Sequence, residues 1–289
     1  MPISSAVDAS AVARVVGIKT AFKDLRGGGI LFLPQRVAIV GQGNSAAVYD
    51  TTKRQVTSAQ EAATTYGFGS PIHLAVLQLL PVNGDGVGTI PVTVYPLVDD
   101  GAGAPAVGDI TPAGAQTEAA AYRVVINEIQ SAQFVISVGD TVATIVTAMT
   151  AAVNATLEMP VIAVDATPGT STQMDLTSKW EGASANGIVV EIAGSTTAGT
   201  TFAITQPVGG LANPDVQPAL DQVGNVWETM MLNCLDVADA TALTAYNTFG
   251  EGRWGALVRK PLVVFTGTTE VDVDTAIVIP ESRKTEQAG

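Results

Sequence analysis

Gly41, Gly43 and Ala46 follow an apolar run, Val37–Val40, at the spacing G-x-G-x-x-A. In a dinucleotide-binding unit that spacing lets the backbone approach a pyrophosphate, which rests on the N-terminus of the next helix. Glu61 lies 20 residues beyond Gly41, near the distance of the acid that binds the ribose hydroxyls. The intervening segment argues against this chemistry. Ala46–Ser58 (AAVYDTTKRQVTS) has no helical apolar stripe and is rich in β-branched residues and turn formers. Glu61 falls inside a later helix, not at the end of a second strand. A plain glycine turn is the favoured reading, and dinucleotide binding the minor alternative.

The other chemically capable residues stand alone. His73 is the sole histidine. Without a second imidazole it reads as a surface or capping residue in the first turn of a helix. Cys234 is the sole cysteine, which excludes a disulfide framework and a multi-cysteine zinc site within one chain. It falls on an expected buried strand, where a small hydrophobe belongs. Ser45 lacks a G-x-S-x-G context, and Arg26–Ile30 (RGGGI) lacks the Lys-Ser/Thr of a phosphate loop. Asn83–Gly88 has too few carboxylates for a calcium loop and reads as a turn. The acids and bases of Asp272–Lys284 read as solvated strand ends. Trp180, Trp227 and Trp254 are dispersed, as core or interface anchors are. We therefore assign no catalytic, cofactor-binding or metal-binding residue from the sequence, and expect neither a cofactor nor an enzyme.

Composition narrows the classes further. The 289 residues are 47% apolar and 14% charged, which excludes a disordered chain. With 14 Lys and Arg against 27 Asp and Glu, the net charge is −13 and the pI near 4.3. That balance argues against a phosphate-neutralising nucleic-acid surface and suits a soluble free subunit. Mean hydropathy is +0.32, yet no apolar run reaches the ~18 residues of a membrane span. The N-terminus also lacks the basic start and apolar core of a signal peptide. The hydropathy comes from Ala, Val, Ile and Thr spread evenly, as in a large core or in faces that bury against further copies.

The elements that must position these residues alternate between helix and strand. Residues 1–30 read as an extended arm with a glycine hinge at Arg26–Ile30. Arg36–Gly41 reads as a short buried strand. A helix follows, with Ser58 and Glu61 as a capping box and Gly67 as its stop. The next helix has Ser70 as N-cap and Pro71 at its first position, and Ile90–Val98 is another strand. The Gly, Pro and Ala of Asp99–Ala115 read as a linker or hinge. Beyond it, two alternating segments suggest a hairpin. Val142, Ile145, Val146, Met149 and Val153 mark one face of a helix capped by Asp140 or Thr141. Three further strands complete a ββαβββ module, bounded by Ala193–Thr201 and Pro207–Asp215. The pattern then reverts to a short helix, a strand at Val226–Cys234, a helix capped by Asp239, and strands at Pro261–Gly267 and Asp274–Pro280.

The expected fold is α+β or α/β: a core with a mixed, mainly parallel sheet and flanking helices, interrupted by a small inserted ββαβββ domain. The expected boundaries are an arm over 1–30, core halves over 31–100 and 207–289, and the insertion over 101–206. A last buried strand with no covering element after it makes the second core half read as incomplete.

Several segments in order resemble contractile phage tail sheath proteins of the Mu-like group. LPQRVAIVGQGNSA, QVTSAQEAATTYGFGSPIHLAVLQLL and VTVYPL are similar to the start of that group's core. GDTVATIVTAMTAAVNATLEMPVIAV and WEGASANGIVVEI resemble its inserted domain, and GRWGALVRKPLVVFTG its second core half. Each motif is weak alone, while their order and spacing over about residues 30–270 are specific. The resemblance implies a structural virion subunit, assembled in the host cytoplasm as stacked hexameric rings around a tail tube. Neighbouring sheath subunits, the tube protein, the baseplate and the tail terminator would be its partners, with no nucleic acid and no membrane insertion. Terminal arms would join neighbours by strand addition, and contraction would drive the tube through the host envelope. Sheaths of this type are longer than this chain. The alternative within the same class is another self-assembling tail or injection-machine component, such as a tube or baseplate protein.

Overall fold

The structure, a computed structural model, describes residues 35–84, 86–195, 199–236, 238–255, 257–268 and 274. The expected arm and the expected strand at Asp274–Pro280 lie outside these residues, save Asp274 itself. The fold is mixed α+β, with parallel and antiparallel sheets.

The chain opens with β1 (Val37–Gln42), then β2 (Arg54–Val56), α1 (Ala59–Tyr66), α2 (Pro71–Leu79) and β3 (Val92–Leu97). Every residue of β1 is buried, because its alternate side chains feed two different layers. Val37 and Ile39 pack with Tyr66, Ile72 and Val76 of α1 and α2. Ala38 and Val40 face the opposite layer, with Leu220, Met231 and Tyr246. That second layer comes from the end of the chain: α4 (Gln217–Val223), β12 (Met230–Asn233), α5 (Ala240–Trp254) and β13 (Val263–Thr266). The five strands order as β13-β12-β1-β3-β2. All pairings are parallel except that of β2 with β3, as crossover helices on both faces require. The short β2 adds a strand that the sequence reading lacked.

Between β3 and α4 the chain builds β4 (Pro105–Ala113), β5 (Ala120–Ile126), β6 (Ile129–Gln130), β7 (Phe134–Ile136), α3 (Val142–Asn154), β8 (Val161–Val164), β9 (Met174–Glu181), β10 (Val190–Gly194) and β11 (Thr201–Val208). One antiparallel sheet orders as β11-β4-β9-β8; in the other, β5 pairs with β10, β6 and β7. They share a core in which Ile145, Val146, Met149 and Val153 of α3 meet Ile126, Ile136, Met174 and Leu176. The expected face of α3 is the buried one, apart from half-buried Val142, and Thr141 is the cap, accepting from the Thr144 N–H.

Two expectations are corrected here. Asp99–Ala115 is not a linker, since most of it is β4, an inner strand. Its turn-forming residues fit the sheet: Pro105 opens the strand, and Pro112 lies past Ile110, where β4 pairs with β11 alone. Gly108 is where β11 crosses closest; a Cβ there would stand 2.5 Å from the Thr205 carbonyl oxygen. The boundary stretch likewise leads into a strand, β11. The middle region is thus larger than ββαβββ by one strand at each end, and its expected hairpin has three short strands.

Candidate functional site

In an open sheet of parallel strands, ligands bind beyond the carboxyl ends where the chain reverses its direction of travel across the sheet. Here that point lies between β1 and β12: from β1 the chain first crosses to β3, and later returns on the other side to β12. The glycines of the fingerprint stand at this point, and both are explained by packing. A Cβ on Gly41 would come within 2.8 Å of the Cys234 Cβ. A Cβ on Gly43 would lie 2.3 Å from the ring of Tyr49. The Gly43 N–H, which would address a phosphate, donates instead to the Tyr49 hydroxyl at 3.1 Å, and that hydroxyl donates to the Leu97 carbonyl at 2.8 Å. Burial raises the Tyr49 pKa, so the phenol stays neutral.

No helix follows the glycines. Asn44 closes a local turn through Oδ1 to the Ala46 N–H, and the next helix starts at Ala59. Glu61 is committed within α1. Its Oε2 accepts from the Thr57 N–H and hydroxyl, and its Oε1 pairs with Arg54 at 3.0 Å. Ser58 does cap α1, but Glu61 returns to Thr57 rather than to the Ser58 N–H that a capping box uses. The Thr57 bond is the main reason its carboxyl sits below the usual range. The dinucleotide geometry is therefore absent.

The crevice itself is closed by the middle region. Gln42 is fully buried, and its Nε2 donates to Asp99 Oδ1 at 2.6 Å and to the Glu181 carbonyl at 2.5 Å. The Ser45 hydroxyl donates to the other Asp99 oxygen, and the Ser45 N–H donates to the Lys179 carbonyl at 2.8 Å. Asn213 continues the seam. Its Oδ1 accepts from the Ser184 N–H, while its Nδ2 donates to Asp239, the residue that caps α5 through the Ala242 N–H. Gly182 passes 2.9 Å from Asn213 Oδ1, measured from where a Cβ would be, at a positive φ of 138°. A neighbouring cleft of about 430 Å³ is lined by Asp100, Asp215 and Asp239. Asp215 and Asp239 already accept backbone N–H groups.

The single histidine is buried, which corrects the surface half of its reading. His73 Nδ1 accepts from the Gly69 N–H at 3.0 Å, so the neutral ring carries its proton on Nε2. Burial, then the nearby Lys179 charge, lowers its pKa. Lys179 itself escaped sequence reasoning. Its Nζ donates to the Phe68 and Leu157 carbonyls at 3.2 and 2.9 Å. Burial brings its pKa down to about 8. Cys234 follows β12 directly, and burial pushes its thiol up to about 12, where it is inert at neutral pH. Also unforeseen is the buried bond from the Tyr95 hydroxyl to Glu228 at 2.9 Å. Trp180 is a core residue bonded to Ser184, Trp227 donates to the Pro261 carbonyl, and Trp254 is exposed. Among the described residues, no group of three or more His, Cys, Asp and Glu could hold a metal, and no helix is long and apolar enough to cross a membrane.

No protein-family model matches the sequence, and no curated protein matches it. Among solved structures, the chain is similar to the sheath tail protein Lin1278 from Listeria innocua, at 14% identity and a TM-score of 0.28. The match covers 76% of this chain and 44% of that one, so the chain spans less than half the length of that protein.

Proposed function

We propose that the chain is a structural subunit of a contractile phage tail sheath, part of the virion, that polymerises as stacked hexameric rings around a tail tube. The observation that carries this reading is the ordered set of sheath-like motifs and the elements on which they fall. GFGS forms the turn between α1 and α2, with Gly67 and Gly69 at φ of 90° and 75°. GDT leads into the Thr141 cap of α3, and the final motif runs from α5 into β13. In this reading residues 1–30 are the arm, 31–100 and 207–289 the core, and 101–206 the insertion. Neighbouring subunits, the tube protein, the baseplate and the terminator are the partners. Contraction is a repacking of subunits, so no catalytic role is proposed.

Negative-stain electron microscopy of the purified chain, over a range of concentration and salt and with tube protein added, tests the reading. Striated tubes or stacked rings are expected. Isolated rings that never stack would favour a tube-type protein. A chain that stays monomeric throughout, or that binds NAD or NADP saturably, would overturn the sheath reading.

A further inference from the structure

The middle region uses one device three times. A side-chain amide takes both the N–H and the C=O of a single backbone residue, as a neighbouring strand would. Asn154 Nδ2 donates to the Ala163 carbonyl at 2.8 Å, and its Oδ1 accepts from the Ala163 N–H at 3.1 Å. Gln206 does the same to Val190, at 2.8 and 2.7 Å. Asn186 does it to Gly210, at 3.0 and 2.7 Å. Gln206 sits where the register of β11 shifts, and such an irregularity re-aims a side chain. There it bridges from one sheet to the edge strand β10 of the other.

Asn154 has the most exposed task. Among the described residues, β8 has β9 as its one strand partner, so its other side is a sheet edge. Ala163 gives both its backbone groups to Asn154, so they point away from β9. The flanking Ile162 and Val164 are exposed, and β8 itself, Val161–Val164 (VIAV), is uncharged, apolar and mostly β-branched. An open edge of this composition is a template for pairing with another chain.

We propose that Asn154 is a specificity residue for self-association: as the last residue of α3, it closes the outer edge of β8 against a strand from a second copy of this chain. The device holds whatever the chain assembles into, and it excludes this edge as a site of strand exchange.

The test uses the full chain carrying Asn154→Ala, with sedimentation velocity, infrared detection of intermolecular β-structure and circular dichroism. The variant should remain folded and associate at a concentration about tenfold or more below the parent's. Its particles should be irregular or fibrillar. Adding Ala163→Pro, which removes the outward N–H that an incoming strand needs, should restore the parent's behaviour. If Asn154→Ala does not fold, Asn154→Leu, of similar volume and good helix propensity, takes its place. A folded variant that associates no more than the parent would overturn the proposal. So would association that Ala163→Pro fails to reverse, since that would arise from general loosening rather than from the edge. Loss of ordered tubes in the parent itself would count against the sheath reading alone.

Discussion

The five-stranded sheet and the two sheets of the middle region hold their strands by different means. β1 has a strand on each side and an apolar layer on each face, so its backbone needs nothing from side chains. In the middle region, the outward backbone groups of Ala163 in β8 and Val190 in β10 are taken by Asn154 and Gln206. The difference follows from position in the sheet: β1 is an inner strand, whereas β8 and β10 lie at edges. Parallel strands joined by crossover helices are covered as they form. A strand at a sheet edge leaves outward backbone groups that something else must close. Both regions pack on apolar cores, and the middle region adds directional side-chain contacts at two of its strand edges. Between them runs a polar seam through Gln42, Asp99, Lys179 and Asn213.

The comparison is most sharply tested in the core. Ile39 is fully buried against α1 and α2, so Ile39→Ala should cost about 2–5 kcal/mol by urea denaturation. A smaller loss would mean that the central strand is not held by packing. Next in size, Gln206→Ala leaves the Val190 N–H and C=O without their partner and should cost about 1–3 kcal/mol. Amide hydrogen exchange should accelerate at Val190 and stay unchanged along β1; equal acceleration in both places would break the distinction. The third test addresses the seam. Lys179 has a pKa near 8 when folded against an ordinary 10.5, so between these values the unfolded chain binds more protons. Stability should rise as pH goes from about 8 to about 10.5, and Lys179→Met should flatten that rise. A rise of the same size in the variant would place its source elsewhere.

Reading the sequence located the elements whose signals are local. Ser58, Ser70, Thr141 and Asp239 each accept a backbone N–H in the first turn of the helix they cap. The apolar periodicity of α3 and the buried run of β1 also stand as read. β4 was illegible because Pro105, Gly108 and Pro112 carry the composition of a linker. Their fitness for a strand depends on β9 beginning beside Ile110 and on β11 crossing at Gly108. The glycine fingerprint is ambiguous in sequence for a related reason. Gly41 and Gly43 answer close approaches by Cys234 and Tyr49, which no spacing rule distinguishes from the approach of a phosphate. His73 read as surface or capping because a lone imidazole gives no sign of the Gly69 N–H that it satisfies.

By itself, then, the sequence determined caps, periods and the order of elements, because those signals act within a turn of helix or along one strand. The tertiary structure alone decided that the crevice beyond β1 is closed and that Ala163 and Val190, on edge strands of the middle region, are capped. Gln42 meets Glu181 across 139 residues of chain, and Gln206 meets Val190 from a different sheet. Such polar contacts have no period. A glutamine that closes an edge and one that faces water are the same letter until the chain has folded and brought a backbone to it.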